Sequence, residues 1–525
     1  MISQTIPDLY DRCVHHFGAH VALTYHDRNY TYAQMGENAL SLARGLQKEL
    51  WIKKGDKVAF LMPNCPEYVF CEYAVAKTGA IRVPLAILLG SSDHVYMMNH
   101  AECTTLVYHK KMADRVEEMM PSLKTVTQFV CMSEDKSAVP QGHHHLQSLI
   151  KNHEPNPDCV DLDPEDLVGI YFTGGTTGRP KGVMLSHRAW VYTVLMEMLE
   201  FGFGYEEVFA FLTPLTHAGG CLLLPVLLRK GRAVIFDHFE PSGFLEATAA
   251  EGITATFMVP TMLYALLDSP ELENHSCDSL RNIIYGAAPI APERLKQAIK
   301  RFGPILTQLF GQTEAPMCFS VMSQRDHVIE DPQREREVFS SAGRPTFHAK
   351  IRLLDEQDNA VAPGEPGEIV VKCANVMHGY LKNPEATAET LKDGWLYTGD
   401  IAKQDHEGFL YIVDRKKDMV VSGGFNIFPR EIEDVLFDHP AVKHAAVIGV
   451  PDKKWGEAVK AIVVLYEDKT ATEEELIRFV KEQKGSSLVA PKSIEFWDNI
   501  PLTNLGKLDK KAMREQFWKE QERKV

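Results

Sequence analysis

The feature that most constrains the fold is an alternation of short apolar runs with amphipathic stretches over the first 340 residues. The runs are mainly apolar and four to seven residues long: Val58–Met62, Leu167–Phe172, Ala233–Phe236, Ala255–Val259, Asn282–Tyr285 and Ile305–Phe310. Between them lie helical patterns such as Pro292–Phe302, in which apolar residues recur at helical spacing. Continuous apolar strands that alternate with helices are typical of largely parallel sheets covered on both faces. We therefore expect an α/β fold for this part of the chain.

The pattern changes after residue 340 and again after Asp414. Residues 355–367 read DEQDNAVAPGEPG, a turn-rich segment followed by a strand-like run, which predicts a small β-rich subdomain from about residue 340. After Asp414 the sequence predicts a helix at Pro429–Phe437, two apolar strands at Val442–Val450 and Ala461–Leu465, and a helix over Thr472–Lys484.

These changes predict the domain organisation. We expect a large N-terminal domain over residues 1–413, in which stacked, mostly parallel sheets with helices form two α/β subdomains ahead of the β-rich subdomain. A hinge at 414–418 would then lead to a smaller, mobile α+β lid domain over residues 419–525.

Composition limits the possible partners and compartment. The net charge of −15 argues against a nucleic-acid partner. The excess of acidic side chains is confined to the first 413 residues, because residues 414–525 carry 20 basic and 20 acidic side chains. The ten cysteines form no CxxC pair, so neither a zinc site nor a disulfide framework is indicated. No signal peptide is predicted, because the N-terminus has no basic stretch followed by an apolar run. No transmembrane segment is predicted either, because the longest apolar stretch, Val208–Leu228, is broken by prolines and glycines. We expect a cytoplasmic protein with reduced thiols.

One glycine-rich segment gives the strongest local signal for chemistry. The apolar strand at Leu167–Phe172 runs into Thr-Gly-Gly-Thr-Thr-Gly-Arg-Pro-Lys-Gly at 173–182, and Ser186 is placed to cap the helix that follows. Backbone N–H groups freed by the glycines, threonine hydroxyls and the Lys181 charge together suit a polyphosphate. The segment is not a Walker A loop, because Gly178 is followed by Arg-Pro-Lys. Nucleotide binding is the prediction, with an ordinary glycine-rich turn as the alternative.

The segment at 173–182 resembles the phosphate loop of the adenylate-forming superfamily, which includes acyl-CoA synthetases, firefly luciferase and the adenylation domains of peptide synthetases. Further motifs follow in the order of that superfamily: Pro214-Leu-Thr-His-Ala-Gly-Gly, Tyr285-Gly-Ala-Ala-Pro, Phe310-Gly-Gln-Thr-Glu, Tyr397-Thr-Gly-Asp, Asp414-Arg-Lys-Lys-Asp through Gly424 to Glu433, and Pro501-Leu-Thr-Asn-Leu-Gly-Lys. The resemblance covers more than 330 residues. Within the superfamily, the chain resembles the acyl-CoA synthetase branch. It implies that ATP and Mg²⁺ activate a carboxylic acid as an acyl-adenylate, which then passes its acyl group to coenzyme A.

The resemblance implies a nucleotide site made of the phosphate loop, an adenine slot and a ribose-binding carboxylate. Residues implied to bind ATP or AMP are Thr173, Gly174, Gly175, Thr176, Thr177, Gly178, Lys181, Gly286, Ala287, Ala288, Phe310, Gly311, Gln312, Thr313, Asp400, Arg415 and Lys507. A carboxylate such as Asp400 can accept hydrogen bonds from both hydroxyls of a ribose. Without the resemblance, Asp400 would equally be a turn aspartate, and Arg415 would more readily be part of a surface ion pair.

Four residues are implied to act directly in catalysis: Lys507, His217, Thr313 and Glu314. Glu314 follows the end of an apolar strand, where α/β sheets bind ligands, and is implied to hold Mg²⁺ together with Thr177. Lys507 is implied to bridge the carboxylate and the α-phosphate, an electrostatic role directed at the transition state. His217 is implied to gate the space between the carboxylate pocket and the thiol entrance, with a buried core histidine as the alternative.

The second half-reaction is implied to use a different pose of the C-terminal domain. Lys417 occupies the hinge position, and Ser422, Gly423 and Gly424 are implied to line a tunnel for the pantetheine arm of coenzyme A. Glycines suit that tunnel, because only bare backbone lets the thiol arm approach closely.

The acid itself is less well determined by the sequence. Candidate residues of the acyl pocket are mostly apolar or aromatic: Trp190, Tyr192, Ala218, Ile284, Tyr285, Leu309 and Met317. They favour a fatty or other apolar acyl acid, and Leu309 favours medium over very long chains; core packing is the alternative for each of them.

The same fold is compatible with further functions. An amino-acid or aryl-acid adenylating enzyme would load a carrier protein, but the chain has Thr-His-Ala-Gly-Gly where amino-acid-activating domains usually carry an aspartate, and it ends eighteen residues after Lys507. A nucleotide-binding regulator without activity and a luciferase-like oxygenase would also fit the fold, and a homodimer is possible. Fold alone cannot separate these functions.

Overall fold

The structure, a computed structural model, describes residues 4–173, 179–422, 425–452, 454–485, 490–501 and 508–518. The chain divides into two compact units, the first of Met1–Thr173, Pro180–Lys350 and Val371–Leu396, the second of Gly174–Arg179, Ile351–Val370 and Tyr397–Val525. The second unit therefore takes in residues 351–370 and 397–413, which the sequence pattern assigns to the N-terminal domain. The hinge at 414–418 lies within the second unit, and the domain boundaries stay a prediction.

Two large sheets, counted over the described residues, form the framework of the first unit. One has nine strands in the order Arg344–Pro345, Ala315–Met322, Leu306–Gln312, Asn282–Gly286, Ala255–Met258, Val208–Phe211, Arg232–Ile235, Val21–Tyr25 and Arg28–Thr31. The other has eight strands in the order Gly379–Tyr380, Lys181–Ser186, Leu167–Thr173, Ile81–Pro84, Lys57–Leu61, Thr105–His109, Gln128–Met132 and His144–His145. Their central strands pair in parallel, which confirms the predicted α/β class.

Helices connect and cover these strands. Those of the first unit are Ile6–Phe17, Tyr32–Glu49, Pro66–Lys77, Ser91–Ala101, Ala113–Met119, Leu146–Lys151, His187–Glu200, Ala218–Cys221, Leu223–Leu228, Pro241–Glu251, Pro260–Leu267, Pro292–Phe302, Pro332–Phe339 and Pro384–Thr390. Pro292–Phe302 begins and ends where the sequence predicts, with Pro292 in the first turn, where its missing N–H has no helical partner to lose.

The strand Lys57–Leu61 illustrates why these runs are continuously apolar. Val58 and Phe60 belong to one hydrophobic core, whereas Ala59 and Leu61 belong to another. Successive side chains of a strand point to opposite faces, so a strand with a core on each side needs apolar residues at every position. Two-sided burial of this kind accounts for the apolar runs that the sequence shows at the parallel strands.

The glycine-rich loop connects two antiparallel strands. Leu167–Thr173 pairs with Lys181–Ser186, with Thr173 opposite Lys181, and residues 174–178 lie outside the described part of the chain. Ser186 caps the helix His187–Glu200, since its side chain accepts a hydrogen bond from the Ala189 N–H at 3.2 Å. The cap is as predicted, but the strand Lys181–Ser186 between loop and helix was not.

The second unit contains two smaller sheets and three helices among its described residues. The first sheet contains Lys350–Leu354, Gly367–Lys372, Trp395–Gln404 and Leu410–Arg415, in agreement with the predicted β-rich segment. The second has the order Phe425–Ile427, Val420–Ser422, Gly456–Leu465 and Val442–Asp452, with Ser493–Phe496 beside Gly456–Leu465. The helices are Pro429–Phe437, Glu473–Lys484 and Lys510–Glu515.

Two further predictions concern the long apolar stretch and the cysteines. Val208–Leu228 forms a strand, a turn and two short helices, and no described helix is both long and apolar enough to span a bilayer. All ten cysteines are free thiols, and only Cys159 is exposed.

Paired charges are buried around residues 414–418. Arg514 Nη1 donates to Asp418 Oδ1 at 2.7 Å, and Lys510 Nζ lies 2.8 Å from Glu433 Oε1. Burial by itself would raise the pKa of Asp418, but the positive charges of Lys510 and Arg514 outweigh it and lower that pKa below its usual value. A buried pair depends on both partners, because either charge alone is left uncompensated.

We expect Arg514→Leu to destabilise the protein by about 3–5 kcal/mol, the usual cost of breaking a buried ion pair by removing one partner. Because the pKa of Asp418 is lower folded than unfolded, the stabilisation is fully present above the unfolded value of about 3.9 and is lost as pH falls through the folded value. Thermal unfolding from pH 7 down to pH 3 should show the difference between variant and wild type shrinking. Lys469→Leu, which removes an exposed pair with Asp468 at 3.8 Å, should change nothing. Equal effects of the two variants would contradict this interpretation.

Candidate active site

Three of the predicted motifs follow the carboxyl ends of parallel strands in the nine-stranded sheet. His217 comes after Val208–Phe211, Ala287 after Asn282–Gly286, and Glu314 after Leu306–Gln312. Ligands of α/β sheets bind at this edge, because side chains and backbone groups leave the buried interior there. The fold therefore brings these predicted residues to one edge of one sheet.

Thr313 and Glu314 form the tight turn between Leu306–Gln312 and the antiparallel strand Ala315–Met322. The turn needs glycine before it, since a Cβ at Gly311 would lie 1.9 Å from the carbonyl oxygen of Met317. Glu314 is partly exposed, and its Oε1 accepts a hydrogen bond from the Tyr380 hydroxyl at 2.7 Å. A half-exposed carboxylate at a strand end is a suitable ligand for Mg²⁺, which prefers oxygen donors and keeps several waters.

Tyr380 also contacts the predicted phosphate-binding lysine. Lys181 Nζ lies 4.7 Å from the centroid of the Tyr380 ring, a distance at which the ring attracts a cation. Thr173, at the other end of the loop, donates to the Lys181 carbonyl oxygen at 3.5 Å. Tyr380 thus joins Lys181 to Glu314. The predicted loop residues Gly174, Gly175, Thr176, Thr177 and Gly178 lie outside the described residues.

The predicted adenine slot is an exposed bend after a buried strand. A Cβ at Gly286 would lie 2.4 Å from the carbonyl oxygen of Leu309, so this glycine is required for the pairing of the two strands. Ala287 and Ala288 are exposed, and Ala287 has φ 63°, a left-handed conformation that is costly for a residue with a side chain. Phe310, the other predicted adenine contact, lies with Gln312 in the neighbouring strand and packs edge-on against Phe319 with centroids 5.7 Å apart.

His217 is exposed, which excludes the buried core histidine considered above. Its Nδ1 lies 3.0 Å from the Thr216 hydroxyl oxygen, and the imidazole lines a small cavity. The glycines that follow it pack the turn against its own preceding backbone, since a Cβ at Gly220 would lie 2.0 Å from the Leu215 carbonyl oxygen. The motif therefore holds the histidine at a surface opening.

The predicted acyl-pocket residues divide into two groups. Trp190, Ile284, Leu309 and Met317 belong to one hydrophobic core, against which the half-buried Ala218 also packs. Tyr285 alternates with Ile284 along its strand and therefore points to the opposite face, where its hydroxyl lies 3.0 Å from His327 Nε2. Tyr192 is two residues from Trp190 on the same helix and so does not share its face.

In the second unit, the predicted ribose-binding residues are paired. Asp400 and Arg415 lie opposite each other on neighbouring antiparallel strands, and Arg415 Nε is 2.9 Å from Asp400 Oδ1. Asp400 is buried, whereas Arg415 is exposed. Beside them, the Glu368 carboxylate accepts from the Gly399 N–H at 3.1 Å and from Lys416 Nζ at 2.8 Å, which fixes the strand Trp395–Gln404 just before Asp400.

The predicted hinge and tunnel residues are described in part. Burial, followed by the repulsion of nearby Arg415, lowers the pKa of Lys417 below its usual value. Ser422 is buried in the strand Val420–Ser422, opposite Phe425. Gly423, Gly424 and Lys507 lie outside the described residues.

Sequence reasoning missed Tyr380. It is 66 residues from Glu314 along the chain, and it follows no glycine-rich or charged motif that would have marked it. Only the pairing of Gly379–Tyr380 with Lys181–Ser186 could have revealed that Tyr380 belongs to the site, and sequence patterns do not determine that pairing.

Comparisons with known proteins give the family context. The chain matches the AMP-binding enzyme family over residues 10–381 and the AMP-binding enzyme C-terminal domain over residues 431–507. It is 40% identical to the medium/long-chain-fatty-acid–CoA ligase FadD8 of Mycobacterium tuberculosis, over 88% of this chain and 82% of that one. It is 35% identical to a feruloyl-CoA synthase of an Amycolatopsis species, over 93% and 94%. The solved structure of the amide bond synthetase McbA from Marinactinospora thermotolerans is 30% identical, with a TM-score of 0.87 over 97% of this chain and 99% of that one.

We expect Tyr380→Phe to weaken the binding of magnesium, so that pyrophosphate release from ATP requires a higher magnesium concentration. The variant keeps the ring beside Lys181 but removes the hydrogen bond to Glu314, which at a charged acceptor is worth about 1.5–3 kcal/mol. The measurement is kcat/KM for Mg·ATP over a magnesium titration, with a decrease of about tenfold expected. Tyr25→Phe removes a similar bond to Asp237 outside the site and should leave kcat/KM unchanged. An unchanged magnesium titration in Tyr380→Phe would show that Tyr380 does not position Glu314.

Proposed function

The chain belongs to the AMP-binding enzyme family, and we propose that it joins a mostly apolar carboxylic acid to coenzyme A. It is an AMP-forming acyl-CoA synthetase, an acid–thiol ligase that uses ATP, Mg²⁺ and coenzyme A. The observation that carries this conclusion is the match to fatty-acid–CoA ligases along nearly the whole chain, together with every chemical motif of the reaction in order.

In the first half-reaction, the carboxylate of the acid attacks the α-phosphorus of ATP and pyrophosphate leaves. Two anions must approach each other, so the site has to supply positive charge where negative charge builds up. Lys181 and the loop at 173–178 would bind the leaving phosphates, and Glu314 would hold the Mg²⁺ that neutralises them. Tyr380 supports these roles, because it contacts both side chains. Lys507 would bridge the carboxylate and the α-phosphate.

Asp400 and Arg415 would hold the ribose. A carboxylate accepts hydrogen bonds from two vicinal hydroxyls, and the exposed guanidinium beside it adds donors to the ribose or the phosphate. The buried position of Asp400 supports this role, since its carboxylate is held by its strand and its orientation does not depend on a mobile loop.

In the second half-reaction, the thiol of coenzyme A attacks the acyl carbon and AMP leaves. We propose that the C-terminal domain turns about Lys417 between the two steps, so that Lys507 serves the first and the backbone at 422–424 serves the second. The partly buried Lys417 supports a defined joint, because a buried lysine must break and remake specific contacts when its dihedral angles change.

The chemical type of the acid is inferred from the hydrophobic core around Trp190. Ile284, Leu309 and Met317 present apolar surface there, which favours fatty or other apolar acyl groups of medium length. The relatives include a fatty-acid–CoA ligase and a feruloyl-CoA synthase, so membership of the family does not determine the acid. The side chains of the pocket would determine it. We further propose that the enzyme acts in the cytoplasm, on free acids rather than on a carrier protein; a homodimer is compatible with this function.

Product analysis tests the reaction. Enzyme with Mg·ATP and a medium-chain acid should release pyrophosphate, and addition of coenzyme A should yield AMP and acyl-CoA in equal amounts. Omission of the acid is the control, and it should abolish pyrophosphate release. Formation of ADP and orthophosphate would contradict the proposal, because the family's chemistry cleaves between the α- and β-phosphates.

Lys507→Ala tests the division of labour between the two steps. We expect adenylate formation to slow by about 10²- to 10³-fold, the usual effect of removing one preorganised transition-state donor, while thioester formation from supplied acyl-adenylate stays nearly unchanged. Single-turnover kinetics of each half-reaction measures this. Lys511→Ala, which removes a half-exposed lysine 3.7 Å from Glu515, is the control and should affect neither step. Equal damage to both half-reactions by Lys507→Ala would rule out the alternating use of the C-terminal domain.

A further inference from the structure

Asn64 is a buried asparagine of the first unit, 6% exposed, in the loop that follows the strand Lys57–Leu61 of the eight-stranded sheet. Its side chain bonds to the other large sheet's loops. Nδ2 donates to the Thr213 carbonyl oxygen at 3.0 Å and to the Phe236 carbonyl oxygen at 3.1 Å, and Oδ1 accepts from the Leu215 N–H at 2.8 Å. An asparagine side chain has two N–H donors and one carbonyl acceptor, so all of them are engaged and the orientation of the amide is fixed.

These hydrogen bonds join three strand ends. Thr213 follows Val208–Phe211 and Phe236 follows Arg232–Ile235, two parallel neighbours in the nine-stranded sheet. The strand before Asn64 is also parallel to its neighbours, and all three strands contribute their carboxyl ends. Active-site groups leave α/β sheets at this edge. One amide therefore ties the carboxyl ends of strands from both large sheets to each other.

The segment 213–215 in turn supports the turn that carries His217. The His217 N–H donates to the Pro214 carbonyl oxygen at 3.2 Å. A Cβ at Gly219 would lie 3.0 Å from one carbonyl oxygen of this segment, and a Cβ at Gly220 would lie 2.0 Å from another. The backbone of the turn thus packs directly on the segment that Asn64 holds. A shift of 213–215 would move the imidazole with it.

We propose that Asn64 is a positioning residue of the acid site, which fixes the segment 213–215 and thereby determines where the His217 imidazole lies. A displacement of about 1 Å caused by a change far from the chemistry can lower a rate by about 100-fold. The inference rests on the proposed function, because the position of His217 matters only if this residue gates the carboxylate pocket and the thiol entrance. In this role Asn64 contacts neither substrate.

Asn64→Asp tests the inference with a side chain of the same shape. It keeps the acceptor for the Leu215 N–H but turns an oxygen instead of an NH₂ group toward two carbonyl oxygens. We expect kcat/KM for a medium-chain acid, and the rate of thioester formation from supplied acyl-adenylate, to fall about 10- to 100-fold. The KM for Mg·ATP should stay within about twofold, because Tyr380 and not Asn64 contacts Lys181 and Glu314. An equal loss in ATP use, or no loss in acid use, would overturn the inference.

Asn282→Asp is the matched control. Asn282 is 5% exposed, donates to the Phe201 carbonyl oxygen at 2.6 Å and accepts from the Thr307 hydroxyl at 3.0 Å, but it lies at the amino end of its strand. Thermal unfolding should show a similar loss of stability in both variants, whereas kcat/KM for the acid should fall only in Asn64→Asp. An equal fall in Asn282→Asp would show that Asn64 is merely structural. If Asn64→Asp does not fold, Asn64→Ala, which adds no charge, is measured in the same way.

A double-mutant cycle with His217 tests the route of the effect. If Asn64 acts through His217, kcat/KM for the acid in the double variant Asn64→Asp with His217→Ala should be within about twofold of that in His217→Ala, because no ring is left to position. Effects of the two changes that multiply would contradict the inference. Failure of the proposed function would look different, since wild type would then form no acyl-CoA from any acid.

Discussion

Burial of the parallel strands on both faces is the constraint on which the rest of the first unit depends. Side chains in the middle of such strands have apolar neighbours on either side, so polar chemistry is confined to the positions where strands end. His217, Ala287 and Glu314 each follow the carboxyl end of a strand of the nine-stranded sheet. The pairing of these strands therefore sets where each of the segments that carry these residues leaves the sheet.

The glycines in the chemical motifs serve this strand pairing as much as they serve a ligand. A Cβ at Gly286 or Gly311 would collide with a carbonyl oxygen of the neighbouring strand, at 2.4 Å and 1.9 Å respectively. Gly220 is similar, with its backbone packed on Leu215. Larger residues at these positions would disturb the strand ends themselves, and with them the placement of Phe310, Glu314 and His217. Motif glycines of this kind belong to the fold and to the site at once.

The sequence predicts what depends on local patterns and misses what depends on contacts between distant residues. Apolar runs and capping residues such as Ser186 locate strands and helices to within a few residues, because two-sided burial and capping act along the chain. The strand Lys181–Ser186 is absent from the prediction because it is short and lies directly between the glycine-rich loop and the cap Ser186, although its main partner is the nearby Leu167–Thr173. Tyr380 was missed because it pairs with this strand from almost 200 residues away. The resemblance implies Asp400 and Arg415 separately, whereas their pairing requires the register of two strands.

Glu197 and Arg82 are among the ionisable groups buried inside the first unit, and they meet burial in different ways. Glu197 is fully buried on the helix of Trp190 with neither carboxyl oxygen bonded to a described residue, and burial alone raises its pKa well above the usual value. A carboxyl in this position can take up a proton and lose its charge, so its burial needs no ligand. Arg82 has no such option, because a guanidinium stays protonated in proteins. Its charge is met by Glu72 and its Nε donates to the Tyr171 hydroxyl, so its burial depends on these two partners. The glutamate is therefore buried by losing its charge, whereas the arginine is buried by keeping fixed partners beside its charge.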